Sequence, residues 1–149
     1  MKVSYVKNLM LLGISTTTNN ENEKNEETQK IAPLWEKYDE ENIFGKTLNK
    51  LNNTSFYGVY SNYVSDVNGD FDVTVAVEVT KNKNNPIIIE NKKYLVFKKE
   101  GELPEVAFEL WQEIWEYFEN NSEYERAYAV DFEKYSKREE VEIFISIKS

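Results

Sequence analysis

VYSNYVSDVNGDFDVTVAVEV, residues 59–79, and AYAVDFEKYSKREEVEIFISI, residues 127–147, lie one on the other without a gap at an offset of 68 positions. In that alignment Tyr60 falls on Tyr128 and Val64 on Phe132. Val73, Val75, Val77 and Val79 fall on Val141, Ile143, Ile145 and Ile147. Each stretch ends in an alternating run of β-branched residues, and each follows a segment containing Leu-Trp, Leu34-Trp35 and Leu110-Trp111. Internal repetition of this length constrains architecture before any motif is read. Two such halves are expected to meet about a pseudo-two-fold axis, and a cleft on that axis is a natural place for a ligand.

Outward from the repeat, residues 2–16 read as a strand and residues 18–30 as a polar loop. Residues 28–42 read as a helix with Ile31, Leu34, Trp35 and Tyr38 at helical spacing. A connection with one helical turn covers 43–54. Residues 55–64 and 71–80 read as a hairpin turned at Asn68-Gly69. Pro86–Ile89 reads as a short edge strand and Lys93–Lys99 as a second strand. Pro104 opens a helix to about Asn120, with an apolar stripe of Val106, Leu110, Ile114, Tyr117 and Phe118 that Trp111 and Trp115 widen. Residues 126–135 and 140–148 close the chain as a second hairpin. The order strand–helix–strand–strand thus occurs twice, in 1–80 and 81–149. It predicts one α+β domain, with antiparallel sheets around a central cleft.

Composition narrows the chemistry. The 149 residues contain neither cysteine nor histidine. That excludes disulfides, thiolate or imidazole metal sites and histidine-dependent triads, and no cofactor, metal or catalytic residue is assigned. The net charge is −9, from 27 acidic and 18 basic side chains. Only Arg126 and Arg138 are arginines, so direct nucleic-acid binding is not expected. No apolar run is long enough to span a membrane, and the expected location is cytoplasmic. Ten Tyr, eight Phe and three Trp accompany this acidity. Acid together with aromatics is what a site for organic cations requires, and it is equally what a well-packed core in a soluble domain contains.

The last strand carries the sharpest expectation. Val141, Ile143, Ile145 and Ile147 share one face; Glu142, Phe144 and Ser146 share the other. In the matching strand the second face carries Thr74, Ala76 and Glu78. If the β-branched face packs on the helices, the Glu142 face meets water or a cleft, and periodicity alone favours an exposed edge-strand face. Tyr60, Trp111, Trp115, Tyr128 and Phe144 are available as aromatic walls, although tryptophans at helical spacing more often serve a core. Glu139 and Glu140 read as solvated turn residues.

The ordered set Ile31-Ala-Pro-Leu-Trp-Glu36, Tyr57-Gly-Val-Tyr60, Tyr94-Leu-Val-Phe97, Gly101-Glu-Leu-Pro104, Leu110-Trp-Gln-Glu-Ile-Trp115, Tyr124-Glu-Arg-Ala-Tyr128, Asp131-Phe-Glu133 and Val141-Glu-Ile-Phe-Ile145 resembles the GyrI-like (SOUL-like) small-molecule-binding superfamily. That superfamily includes effector-binding domains of bacterial multidrug-responsive transcription regulators. Within it the chain most resembles integron-associated effector-binding proteins. The resemblance implies a pocket for bulky, often cationic and lipophilic molecules, with a last-strand glutamate as its acid, a place Glu142 matches. The first reading is therefore a stand-alone module that binds a hydrophobic, cationic small molecule and acts through a protein partner or by sequestration. A fused DNA-binding domain, which many relatives in that superfamily carry, is not expected within 149 residues. The alternative implied by the same resemblance is a hydrolase of reactive electrophiles, with Glu142 orienting water and Tyr128 donating a proton. A third reading is an acidic inhibitor of a basic protein partner.

Overall fold

The computed structural model describes residues 1–120 and 122–149. Its elements follow in the order β1 (Lys2–Thr18), α1 (Asn20–Glu23), α2 (Ile31–Glu40), α3 (Ile43–Lys46), β2 (Phe56–Ser61), β3 (Phe71–Glu78), β4 (Ile87–Glu100), α4 (Glu105–Glu119), β5 (Asp131–Tyr135) and β6 (Glu140–Ser146). The class is α+β, and every strand pair is antiparallel. Each half contributes three strands, and β1–β4 and β2–β5 pairing joins the two sets into one closed barrel, β1-β3-β2-β5-β6-β4. The anticipated edge strand at 86–89 and its neighbour at 93–99 are a single long strand, β4, which pairs with β1 over 87–96 and with β6 over 94–100. Residues 94–96 are paired on both sides, whereas residues 87–93 pair with β1 alone and keep an edge on the other side, as the sequence predicts for 86–89.

The pairing register carries a two-fold. The pair Leu11↔Glu78 corresponds to Tyr94↔Ser146, and Tyr57↔Ala76 corresponds to Phe132↔Phe144. The offset of 68 therefore holds for β3 and β6, Ala76 to Phe144, but β2 and β5 are offset by 75, Tyr57 to Phe132. The second hairpin is shorter by those seven positions. Tyr60 is consequently equivalent to Tyr135, not Tyr128. Tyr128 lies before β5, in the left-handed backbone region at φ 51°.

Strand alternation sorts the core into an inner and an outer set. Leu9, Leu11, Tyr57, Val59, Ala76, Tyr94, Val96 and Phe132 fill the barrel, with Phe144 against them. The opposite faces meet the helices. Val106, Ala107, Leu110 and Ile114 of α4 pack on Leu95, Phe97, Val141, Ile143 and Ile145. Leu34 and Tyr38 of α2 pack on Tyr60, Phe71, Val73 and Val75. The start of α2 has no side-chain cap of its own. Glu23 of the short α1 supplies one, accepting from the Lys30 and Ile31 amides. An anionic acceptor at a helix N-terminus satisfies orphan amides and favours the dipole, which fixes where α2 begins. The two helices flank the β2–β5 seam, one from each half.

Candidate functional site

The seam between β2 and β5 is the floor of the site. On its helix side the cross-strand pairs are Phe56↔Tyr135, Gly58↔Glu133 and Tyr60↔Asp131. The central pair, Gly58↔Glu133, maps onto itself under the two-fold, so Glu133 sits on the axis. Tyr60 and Tyr135 flank it as equivalents, and Trp35 of α2 and Trp111 of α4 come from the two matching Leu-Trp segments.

Glu133 is 5% exposed. Its Oε2 accepts from the Tyr60 hydroxyl at 2.8 Å and from the Trp111 indole N–H at 2.7 Å. Its Oε1 accepts from the Tyr135 hydroxyl at 2.8 Å. The walls are aromatic: Trp35 meets Tyr135 edge-on at 5.6 Å, Tyr60 meets Trp111 at 5.2 Å, and Trp115 lies 6.0 Å from Trp111. Desolvation raises the Glu133 pKa above the usual carboxylate range, against the three hydrogen bonds, which lower it. Beside that carboxylate the Tyr60 and Tyr135 hydroxyls are held well above their ordinary pKa, chiefly by burial. Both remain neutral donors.

What distinguishes Glu133 is the lack of a cation. The other buried acids have one: Asp131 pairs with Arg126 at 2.8 Å, and Glu140 with Lys98 at 3.5 Å. Among the described residues no lysine or arginine forms an ion pair with Glu133. Glu140, anticipated as a solvated turn residue, is in fact buried at the start of β6 because β4 continues alongside it.

The residues singled out from sequence divide into three places. Tyr60 and Trp111 bond Glu133, and Trp115 stands next to Trp111. Glu142, Phe144 and Glu78 lie on the inner face of the barrel. Phe144 stacks on Phe132 at 4.4 Å. Glu78 and Glu142 both face the Tyr57 hydroxyl, whose pKa is raised by burial first and then by those two carboxylates. Burial also raises Glu78 itself, with Lys134 acting in the opposite direction. Alternation separates Glu142 from the helix-packed face as expected, but the aromatic cluster lies on the helix side of the sheet, so the structure does not bring Glu142 to it. Tyr128 lies beyond the floor, its ring 4.3 Å from the Arg126 guanidinium. Glu142 and Tyr128 are not brought together either. Glu133, within Asp131-Phe-Glu133, is not among the candidates that the sequence singles out. Its signal was an acid on the same alternating face as Tyr135, one register pair from Tyr60.

Among the described residues no cluster of three or more acidic side chains is placed to hold a metal, and no helix is long and apolar enough to cross a membrane.

The geometry places an acid on a pseudo-two-fold between two matching aromatic walls, in a closed α+β barrel. The family model for integron-associated effector-binding proteins, Cass2, matches residues 2–147, and the chain belongs to that family. The crystal structure of the Cass2 integron cassette protein from the mobile metagenome of Vibrio cholerae is similar at a TM-score of 0.85 and 34% identity, over 99% of this chain and 95% of that one. The structure of SAV2435 bound to tetraphenylphosphonium shares the fold at a TM-score of 0.77 and 20% identity, over 99% and 93%. The YobU protein of Bacillus subtilis (strain 168), a candidate transcriptional regulator, is 26% identical over 99% of both chains.

Proposed function

We propose that the chain is a receptor for lipophilic organic monocations, with Glu133 as counter-ion and Trp35, Tyr60, Trp111 and Tyr135 as walls. Trp115 extends the wall beyond Trp111. The observation that carries this reading is a buried carboxylate held by three neutral donors with no cationic partner, two residues from an acid that has one. A buried charge without a counter-ion is costly. A bound cation offsets that cost, and each aromatic face adds roughly 0.5–2 kcal/mol. The tetraphenylphosphonium held by SAV2435 belongs to this chemical class. Because Glu133 is covered by its own aromatic neighbours, a ligand displaces the Trp111 and Tyr contacts as it enters, and tryptophan emission reports the event. The biological output is sequestration of such a compound, or its signalling to a protein partner. Titration calorimetry with tetraphenylphosphonium tests the reading. Micromolar or tighter binding with a tryptophan emission change supports it, and absence of binding at millimolar concentration overturns it.

A further inference from the structure

The two-fold that makes Tyr60 and Tyr135 equivalent also relates the ends of the floor, Phe56 to Asp131, and there the halves differ in kind. At the Asp131 end the floor is plugged. Asp131 is fully buried, bonded to Arg126 at 2.8 Å and to the Tyr63 hydroxyl at 2.7 Å. Tyr63 and Tyr128 pack edge-on at 5.6 Å over that pair. At the Phe56 end the floor runs out to solvent. Phe56 is 37% exposed and Phe44 of α3, 5.3 Å away, is 39% exposed. Tyr38 abuts Phe56 at 6.3 Å, and its buried hydroxyl has no hydrogen-bond partner among the described residues. Phe56 directly opposes Tyr135, the donor to Glu133, so the apolar end is continuous with the acid.

We propose that Phe44, Phe56 and Tyr38 form a tail subsite, which takes the hydrocarbon extension of an amphiphilic cation whose head lies on Glu133. This rests on the receptor reading above. Charge sets the orientation. The Lys50 ammonium stands 4.7 Å over the Phe44 ring, anchored to the Phe44 and Thr47 carbonyls. It disfavours a cationic head at that end and leaves a neutral chain unaffected. The ion-paired plug excludes a chain from the opposite end. The preferred ligand is thus a single-headed cation with one long apolar arm, such as a quaternary ammonium amphiphile.

The test is calorimetry of the full chain with butyl-, octyl- and dodecyl-trimethylammonium, each below its micelle threshold. In the wild type, affinity rises about tenfold from butyl to octyl, as partial burial of four methylenes gives. Phe44→Ser lowers octyl affinity at least fivefold and leaves butyl within twofold, whereas Phe44→Leu keeps most of the gain. Phe44→Gln repeats the test with a polar side chain closer in size, so that a folding defect in the serine variant does not stand in for loss of the subsite. A wild-type protein without chain-length gain, or variants with polar residue 44 that keep it in full, overturns the tail subsite. Glu133→Gln separates the two readings. A common loss for all three ligands with the length dependence retained supports both, and unchanged binding in that variant overturns the receptor reading itself.

Discussion

Gly58 faces Glu133 across the β2–β5 seam so closely that a Cβ at position 58 would stand 2.6 Å from Glu133 Oε1 and 3.4 Å from Trp35 Cζ2. A glutamate oxygen at the end of a free side chain would swing aside. This one is tied by Tyr60, Trp111 and Tyr135 and has nowhere to go without breaking a bond. The absence of a side chain at 58 is what allows a carboxylate to sit on the axis. Gly58→Ala is expected to cost about 1–3 kcal/mol of stability, the range for overpacking. It is also expected to weaken tetraphenylphosphonium binding by moving the acid. Urea unfolding and calorimetry on the same preparation check both.

The raised pKa of Glu133 sets a sign for pH dependence. The native state holds this proton more tightly than the unfolded chain does. The contribution to stability is therefore fully present below the ordinary carboxylate pKa and is lost as pH rises through the native value. Cation binding runs the other way. It is expected to favour the ionised form, so that affinity rises with pH across the same window and binding releases protons. The groups bonded to the carboxylate are Tyr60, Tyr135 and the Trp111 indole, all neutral there, which leaves Glu133 as the titrating member. Calorimetry in buffers of different ionisation enthalpy reads the proton release, and Glu133→Gln is expected to abolish it.

Tyr135→Phe removes one of the three hydrogen bonds that hold the Glu133 pKa down. The midpoint of the affinity–pH curve is expected to move to higher pH, with the ring still present as a wall. Tyr60→Phe has the same direction. Midpoints unchanged in both variants would mean that these hydroxyls do not stabilise the ionised acid.

Two buried acids on one face of β5 are expected to respond in opposite ways. Asp131→Asn strands Arg126, whose Nε already has no hydrogen-bond partner among the described residues. Breaking such a buried pair from one side costs about 3–5 kcal/mol. Glu133→Gln breaks no ion pair and leaves stability at neutral pH nearly unchanged or improved. Denaturant midpoints of the two variants, measured side by side, distinguish a structural acid from one kept for a ligand.

Much of the architecture was readable because it rests on alternation and spacing. The β-branched runs at 73–79 and 141–147 have one face for a helix, and the Leu-Trp segments mark those helices. Periodicity is blind to closure. Residues 86–89 read as an edge, and 87–89 pair with β1 alone, but nothing local says that they continue into the strand at 93–99 that joins β1 to β6. Closure also decided the acid. Glu142 lies off the helix-packed face, as its alternation says, and that face proves to be the barrel interior. The ungapped alignment paired Tyr60 with Tyr128 and hid the pairing with Tyr135, because a shorter second hairpin breaks the offset between β3 and β2. With the corrected offset, Gly58 and Glu133 become partners and the axis is visible. Desolvation without a counter-ion has no sequence signature, since it depends on which helices cover the strand.

Glu133 is expected to select ligands by charge. Tetraphenylphosphonium and tetraphenylborate have nearly the same shape and opposite charge, so titrating both into the wild type and into Glu133→Gln isolates the carboxylate. The wild type is expected to bind the phosphonium and reject the borate. The variant is expected to lose about 2–3 kcal/mol for the phosphonium, the Coulomb energy of unit charges roughly 6 Å apart at an effective dielectric constant of about 20, and to bind the borate better than the wild type does. Equal affinities of wild type and variant for the phosphonium, with no change for the borate, would contradict the account.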